Sequence, residues 1–368
     1  MVDAADVTLG DDNFSDAFKV CYITGVEGGG NEYSKYLGAR ISSVFVILFV
    51  STFFTIFPLL ATRFKKLRIP LYGYLFARYF GTGVIIATAY VHLMDPAYGE
   101  IGPNSCVGMT GNWAVYSWPP AIMLASIFFI FIVDIVSAVW VERKYGVVDR
   151  HDVDVEDIIV AKNDAPAAGA VHQAHEAPNQ DMEKQKEDVD TGCESIANTE
   201  AEISFKMQFT AFLILEFGVI FHSVMIGLNL GAVDADEFKT LYIVLVFHQS
   251  FEGLGIGARL SAIPFPADKP KWIPWLCCIA YGLVTPVCVA IGLGVRKTYF
   301  SNSFNANIIQ GVLDSISAGI LMYTGLVELL ARDFLFDPHR TKDLKRLTFM
   351  VVVTLLGAGI MALLGKWA

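Results

Sequence analysis

The chain has 368 residues, of which 54% are hydrophobic and only 17% charged, and its mean hydropathy is +0.49. This composition excludes an ordinary soluble domain and makes a membrane protein the first class to test. The net charge of −10 arises mainly in the N-terminal tail and one long loop, and no basic patch with interleaved aromatic residues occurs, so nucleic acid is not an expected partner.

Eight apolar segments are long enough to cross a lipid bilayer. Each holds about 18 or more residues nearly free of charge, as a hydrocarbon core of roughly 30 Å requires. Because lipid cannot satisfy free backbone groups, these segments are predicted to be helices. In chain order, spans 1 to 8 are predicted at about 38–62, 70–94, 119–141, 204–230, 238–260, 272–295, 305–330 and 345–366.

We therefore predict an all-α membrane protein with eight transmembrane helices in four regions. These regions are an extracellular N-terminal tail (1–37), spans 1 to 3 (38–141), a disordered cytosolic loop (142–203) and spans 4 to 8 (204–368). The loop is predicted to be disordered because it is rich in charged residues and almost free of aromatic ones. Spans 1 to 3 start outside and spans 6 to 8 start inside, which favours two inverted three-helix repeats flanking a central pair, spans 4 and 5. That plan suggests transport by rocking of the repeats about the pair.

The orientation follows from the basic residues between the spans. Arg63, Lys65 and Lys66 follow span 1 in a loop without acids, and the positive-inside rule places this loop in the cytosol. Both termini are then predicted to be extracellular. Cys21 and Cys106 fall on the outer side, where they either pair in a disulfide or remain two free thiols.

Two histidines lie deep within the central pair of spans. His222 is about eight residues below the outer end of span 4 and His248 about ten below that of span 5, which corresponds to roughly 12 and 15 Å. Glu252 follows His248 by one turn and shares its helical face. A lone membrane histidine is often a hydrogen-bond partner, and a lone glutamate can serve packing or proton relay. Two imidazoles and a carboxylate at one depth indicate a site for Zn²⁺, and they also suit Fe²⁺ or Mn²⁺.

Other ionisable residues within the spans are candidates for an ion pathway. His92 is predicted near the outer end of span 2, where it could relay ions at the entrance. Asp134, Glu216 and Glu328 are intramembrane acids for which a pathway role and a structural role both stay open. Arg78 is expected to neutralise one of these acids.

Four segments of the chain closely resemble the ZIP family of divalent metal transporters, most of all its fungal plasma-membrane zinc transporters. FHSVMIGLNLG (221–231) and FHQSFEGLGIGARL (247–260) are similar to the fourth and fifth helices of that family. The similarity extends to ARYFGTGVIIATAYVHLM in span 2 and SAGILMYTGLVELL in span 7. The resemblance implies an eight-span importer of Zn²⁺ in the plasma membrane, with zinc as the substrate and no cofactor.

The resemblance also implies roles for particular residues. His222, His248 and Glu252 would line the transport site, with Ser223 and Gln249 as neighbouring polar contributors. Relatives that hold two adjacent metals often have a carboxylate four residues after the first histidine, and in this chain that position is Ile226, so a single ion is the simpler expectation.

The family commonly has a histidine-bearing loop after span 3, where the sequence VHQAHE places His172 and His175. These two histidines either capture or sense metal, or are merely exposed loop residues.

Several alternatives to a zinc importer stay open at the level of sequence. They are a broader importer of Fe²⁺ or Mn²⁺, a membrane metal sensor and an intramembrane metalloprotease. The absence of an HExxH motif argues against the protease, so the chain is not expected to be an enzyme, and the absence of an ATP-binding loop favours transport driven by gradients. A homodimer is an allowed assembly, and regulatory partners at the cytosolic loop are left open.

Overall fold

The computed structural model describes residues 10, 12–23, 35–64, 70–145, 184–233, 235–266, 269–296, 303–336 and 341–366. Within these ranges all regular structure is helical, and eight helices are long and apolar enough to span a membrane, as predicted. The eight spans are Leu37–Arg63, Leu71–Ile101, Trp118–Trp140, Phe205–Ala232, Phe238–Ala262, Ile273–Val295, Phe304–Phe336 and Leu344–Leu364. We call the end of the bundle where span 4 begins the inner end and the opposite one the outer end.

Spans 2 and 7 are longer than predicted, and each contains a π-helical segment. In span 2 the α-helix Leu71–Ala87 passes through the π-helix Thr88–Met94 into the α-helix Asp95–Ile101. In span 7 the α-helix Phe304–Tyr323 continues as the π-helix Thr324–Phe336. The prediction ended span 2 at residue 94 because Asp95, Pro96 and Glu100 lower the hydropathy. Pro96 lies where the π-helix passes into the α-helix, and such local π adjustments are one way in which membrane helices tolerate a proline.

Three helices extend beyond the membrane spans that they contain. They run over Trp118–Tyr145, Lys184–Ala232 and Ala235–Ala262. The last twenty residues of the region predicted as a disordered loop, 184–203, are therefore helical and continue directly into span 4. Hydropathy alone misses such an extension because it is polar, but an ion pair of 3.0 Å between Glu202 and Lys206, one turn apart, supports the helix here.

The spans pack as two groups of four. Span 1 packs on spans 5 and 6 and span 4 on span 6, whereas span 2 packs on span 8 and span 3 on span 7. The two groups, spans 1/4/5/6 and spans 2/3/7/8, meet where span 2 contacts span 5 and where span 4 contacts span 7. This seam between the groups brings the central pair of spans against the neighbouring group.

The packing supports the predicted inverted repeat. Exchanging spans 1 with 6, 2 with 7, 3 with 8 and 4 with 5 converts the pair of spans 1 and 6 into itself and every other of these packing pairs into another. Both π-helices lie in one exchanged pair, spans 2 and 7. The helix-internal prolines Pro58 and Pro286 lie in another, spans 1 and 6. The sequence does not reveal this symmetry as a repeat because the two halves share topology and packing and not residue identity.

Glycines allow the closest helix contacts. A Cβ added to Gly81 in span 2 would overlap the backbone of Gly255 in span 5, at the seam. Within the other interface of the central spans, Gly231 of span 4 faces Gly292 of span 6 in the same manner. Such positions let helix backbones approach one another, which in a membrane replaces the hydrophobic effect as a source of packing energy.

The outer end is tied together by a disulfide and a buried arginine. Cys21, on the short helix α1 (Asp16–Ile23), is bonded to Cys106 in the segment between spans 2 and 3, so the first of the two alternatives for these cysteines holds. Arg40 of span 1 is fully buried and donates to the carbonyl oxygens of Leu230, Gly231 and Val233 at the end of span 4. These donors satisfy carbonyl groups that have no partner within their own helix.

Candidate metal centre

His222, His248 and Glu252 converge at the contact between spans 4 and 5. Their side chains are buried, with 3%, 1% and 0% of the surface exposed. Nε2 of His222 lies 3.2 Å from Nε2 of His248, which is 3.6 Å from Oε2 of Glu252. One ligand atom of each residue lies within 4.8 Å of the others, and the described residues contain no other such group of three or more His, Cys, Asp or Glu. Two imidazole nitrogens and a carboxylate oxygen are a donor set that Zn²⁺ accepts.

Several polar atoms around this group have no hydrogen-bond partner within the described part of the chain. They are Nδ1 of His248, Oε1 of Glu252 and Oγ of Ser223, and all three are buried. Buried polar groups in proteins are nearly always hydrogen-bonded, and exceptions call for an explanation. A bound cation with its remaining water ligands would satisfy such atoms.

Tyr281 of span 6 joins the carboxylate to its surroundings and was missed by the sequence analysis. Its hydroxyl lies 3.2 Å from Oε2 of Glu252 and 3.1 Å from Oε1 of Gln249, so its one proton is shared between these two acceptors. Ser51 of span 1 also donates to Oε1 of Gln249, at 3.2 Å. Spans 1 and 6 therefore contact the polar side chains of span 5, and Oε2 of Glu252 lies near both Tyr281 and His248 while Oε1 has no partner among the described residues.

The similarity of the chain to known proteins identifies its family. The family model for the ZIP zinc transporter matches residues 37–365, which include all eight spans. The chain belongs to the ZIP family.

Relatives in this ZIP family cover nearly the whole chain. The chain is 62% identical to zinc-regulated transporter 1 of Saccharomyces cerevisiae, over 100% of this chain and 97% of the relative. It is 40% identical to zinc-regulated transporter 1 of Schizosaccharomyces pombe, over 93% and 88%. It is 30% identical to zinc transporter 3 of Arabidopsis thaliana, over 92% and 88%. No solved structure gives a significant match.

The two polar neighbours that the ZIP resemblance named differ in what they can contribute. Ser223 is 1% exposed, and its free hydroxyl lies next to His222 in the chain. Gln249 is fully buried, but its carbonyl oxygen already accepts two hydrogen bonds and its amide nitrogen, a donor, has no partner among the described residues. Of the two, only Ser223 has an oxygen without a partner among the described residues, whereas the oxygen of Gln249 is already hydrogen-bonded.

His92 lies beside the candidate metal centre, which corrects its predicted position at the entrance. Because span 2 continues to Ile101, His92 is nine residues from its outer end. Its ring centroid is 5.0 Å from that of His248, and its Nε2 lies 3.1 Å from the carbonyl oxygen of Met361 in span 8. A histidine of spans 2/3/7/8 therefore touches the site formed by spans 4 and 5 across the seam.

The predicted pathway acids occupy two different environments. Asp134 accepts a hydrogen bond of 2.9 Å from Tyr323, and Glu328 forms an ion pair of 2.7 Å with Arg332. Both acids line a cavity of about 720 Å³ between the inner ends of spans 3, 4, 5 and 7, which we call the inner cavity. Glu216 is 7% exposed, and neither of its carboxylate oxygens has a partner among the described residues.

Arg78 does not neutralise any of the three acids that the sequence analysis proposed for it. It pairs at 3.0 Å with both oxygens of Asp333, which also accepts from Arg259 at 3.3 Å. Asp333 lies 255 residues from Arg78 in the chain, so sequence alone could not match them. The three side chains join spans 2 and 7 to span 5 on the wall of the inner cavity.

Two further acids near the outer end, the buried Asp314 and the partly buried Glu100, were also missed. Asp314 of span 7 is 5% exposed, and Glu100 of span 2 contacts the same turn of span 7, since a Cβ on Gly311 would lie 3.2 Å from its Cβ. Asp314 was detectable in principle as an acid within an apolar span. Glu100 was hidden because the prediction ended span 2 too early.

The residues that the structure describes around Ile226 offer no second metal site next to the first. Ile226, where some ZIP relatives carry the bridging carboxylate, packs against an apolar cluster that includes Ile47 and Leu230. The loop histidines His172 and His175 lie outside the described residues.

Proposed function

We propose that this ZIP protein imports Zn²⁺ into the cytosol through a single site formed by His222, His248 and Glu252. The observation that carries the proposal is the convergence of two imidazoles and one carboxylate, all buried, at the contact of two membrane helices. Burying such groups in a membrane is costly without a function. The relatives named as zinc transporters, at up to 62% identity, support zinc as the substrate.

The same donors would accept Fe²⁺ or Mn²⁺, so ligand type alone does not select zinc. An imidazole-rich set favours Zn²⁺ over Mn²⁺, which prefers oxygen donors. A broader divalent importer is therefore the second candidate, and competition for uptake separates the two.

The enzyme alternative gains no support from the site. A hydrolytic zinc centre needs an open coordination position that a substrate can reach and a base for the bound water. Here the three donors are at most 3% exposed between helices, and the chain contains no HExxH motif. Accommodating a peptide at this site would require the helices to separate.

The direction of transport rests on the orientation of the spans. Arg63 and its basic neighbours favour a cytosolic position for the inner end. The bond between Cys21 and Cys106 favours an extracytosolic position for the outer end, because disulfides are rare in the cytosol. Together with the resemblance to fungal plasma-membrane transporters, this supports a plasma-membrane protein with both termini outside. The homodimer remains a prediction.

The packing also suggests which parts move. Spans 4 and 5 pack tightly with spans 1 and 6, so the moving body in this proposal is spans 1/4/5/6 and not the flanking repeats alone. Displacement along the seam would carry His222, His248 and Glu252 away from His92 and toward the inner cavity. Release then requires that one ligand be withdrawn or protonated, since three intact ligands would trap the ion.

Flux of radioactive zinc into proteoliposomes tests the proposal. The wild-type protein is expected to carry zinc into the lumen, and His248→Ala and Glu252→Ala, incorporated at equal amounts, to lose at least about tenfold in rate. Competition by Fe²⁺, Mn²⁺ and Cd²⁺ in the same vesicles defines selectivity. Binding of zinc without flux would instead identify a sensor, and wild-type flux in either variant would refute the site.

A further inference from the structure

Glu216 is a buried acid outside the candidate metal centre, on the same helix as His222. It lies six residues before His222 on span 4, about 9 Å nearer the inner end along the helix axis. It is 7% exposed, and both carboxylate oxygens are buried without a partner among the described residues. A carboxylate in this position calls for a proton or a cation, since an isolated buried charge is strongly disfavoured.

The register between spans 4 and 6 identifies the side chain that faces Glu216. These spans run parallel, because Gly227 faces Thr285 and Cys288 while Gly231, one turn further, faces Gly292. A Cβ added to Gly227 would lie 2.8 Å from the Cβ of Cys288. Eleven residues make close to three full helical turns, so a step of eleven returns to the same helix face.

Stepping back eleven residues from Gly227 and from Cys288 leads to Glu216 and Cys277. The two residues therefore occupy facing positions, three turns nearer the inner end than the glycine contact. The carboxylate of Glu216 interacts electrostatically with the thiols of both Cys277 and Cys278, which agrees with its position beside this turn of span 6. Cys277 is partly buried, is a free thiol and lies one turn below Tyr281 on the same face of span 6.

The position of this pair fits a step on the way out of the metal centre. Tyr281 contacts Glu252 in the site, and Cys277 follows it one turn toward the inner end. On span 4, Phe212 lies one turn beyond Glu216 and lines the inner cavity. Along the axis of span 4, Glu216 and the facing Cys277 therefore lie between the three ligands and the inner cavity.

We propose that Glu216 and Cys277 form a second, transient cation station between the metal centre and the inner cavity. The inference rests on the proposed transport of Zn²⁺ and adds an exit ligand pair of one carboxylate and one thiolate. Sulfur ligands select Zn²⁺ and the softer Cd²⁺ over Mn²⁺ and Mg²⁺. On binding, the thiol gives its proton to water from the cavity, because the thiolate is the ligand. With only two protein ligands, the station holds the ion loosely enough to release it.

Protection of Cys277 from alkylation by Cd²⁺ tests this station in the full-length purified protein. The background carries His248→Ala and Glu252→Ala, so the metal centre is disabled and the result does not depend on the proposed function. Cys278→Ala is added, and the protein is cleaved after Tyr281 with chymotrypsin, so that the peptide containing residue 277 excludes Cys288 and reports one thiol by mass spectrometry. Cd²⁺ is expected to slow N-ethylmaleimide labelling of Cys277 by about tenfold or more, as expected for a thiolate held by a metal.

Two matched variants decide between the outcomes. Glu216→Gln keeps the shape of the side chain and is expected to reduce protection to less than about twofold, because the charged ligand is lost. Glu328→Gln, in the inner cavity, is expected to leave it unchanged. Absence of protection, or equal protection in Glu216→Gln, would overturn the proposal.

A transport measurement covers the case in which the Cys278→Ala background does not fold. In the otherwise unmodified protein, Cys277→Ser is expected to slow the flux of both Cd²⁺ and Mn²⁺ into proteoliposomes to different extents. The reduction in the rate of Cd²⁺ flux is expected to be at least about three times the reduction for Mn²⁺, because a hydroxyl is a poorer ligand than a thiolate for soft ions. Cys278→Ser serves as the control, because the thiol of Cys278 donates to the carbonyl oxygen of Thr55. An equal effect of Cys277→Ser on both ions would overturn the proposal.

Discussion

Gly81 of span 2 and Gly255 of span 5 face one another across the seam, so closely that a Cβ on either would overlap the backbone of the other. Neither helix can yield without shifting its neighbours, because the contact is between backbones. Gly255→Ala is therefore expected to cost about 1–3 kcal/mol or more of stability, as overpacking does. A lower melting temperature of the purified protein and a reduced amount at the cell surface would report this.

Gly359→Ala is the matched control for that substitution. Gly359 also lies within a membrane span, but nothing would come within 4 Å of an added Cβ there. Alanine favours the helix over glycine, so this variant is expected to be neutral or slightly stabilising. Equal losses in both variants would show that the seam is not tightly packed.

Asp333 holds two arginines at the inner end, and its removal is predicted to be strongly destabilising. Asp333→Ala leaves Arg78 and Arg259 partly buried without their shared partner. Breaking a buried pair from one side typically costs about 3–5 kcal/mol, because an uncompensated charge remains. Thermal unfolding of the purified protein measures the effect.

Glu328→Ala provides the comparison for the Asp333 variant. Glu328 pairs with Arg332, whose side chain is 38% exposed and can be solvated by water, so the expected cost is only about 0–1 kcal/mol. Similar melting temperatures for the two variants would contradict the structural role of Asp333.

Tyr281 is predicted to act as a positioning residue for Glu252. Tyr281→Phe keeps the ring in place and removes the hydroxyl that donates to the carboxylate. Second-shell hydrogen bonds of this kind typically contribute 10–100-fold to metal affinity, so the KM for zinc flux is expected to rise about tenfold while the maximal rate changes less than about twofold.

Ser51→Ala controls for a general disturbance of the site in the Tyr281 experiment. It removes a donor to Gln249 but none to Glu252. An unchanged KM in Tyr281→Phe, or an equal rise in Ser51→Ala, would contradict the positioning role.

The disulfide at the outer end provides a test of orientation. Cys21 and Cys106 are predicted to become accessible to a membrane-impermeant maleimide on intact cells only after treatment with an impermeant reductant. In sealed inside-out vesicles the same reagents are expected to leave both cysteines unlabelled. The reverse pattern would invert the proposed topology and with it the direction of transport.

The sequence predicts most of the helical framework because hydropathy and charge are local properties. All eight spans and the depth of His222 and His248 follow from them, and the helical period places Glu252 beside His248. Prediction fails where polar residues extend a helix beyond its apolar part. This occurs before span 4, where the helix begins at Lys184, and at the outer end of span 2, which continues from Asp95 to Ile101. A π-helix is likewise invisible, because it changes the hydrogen-bond register and not the composition.

Contacts between distant helices account for the rest. Tyr281 carries no charge and gives no signal in an apolar span, yet it is hydrogen-bonded to the ligand carboxylate. Several acids lie at a similar depth in the membrane to Arg78, so its partner, Asp333, is determined by how the helices pack. The facing of Glu216 and Cys277 likewise depends on the register of spans 4 and 6, which no sequence pattern specifies.

X-ray absorption at the zinc edge of the purified protein, loaded with one equivalent of zinc, tests the central claim most directly. In the wild-type protein, two imidazole nitrogens and at least one carboxylate oxygen are predicted at about 2.0–2.2 Å from the ion. His222→Ala is predicted to lose one imidazole ligand, and Glu252→Ala to have a lower ratio of oxygen to nitrogen ligands. A zinc ion with fewer than two imidazole ligands, or an environment that none of the three substitutions at His222, His248 and Glu252 changes, would contradict it.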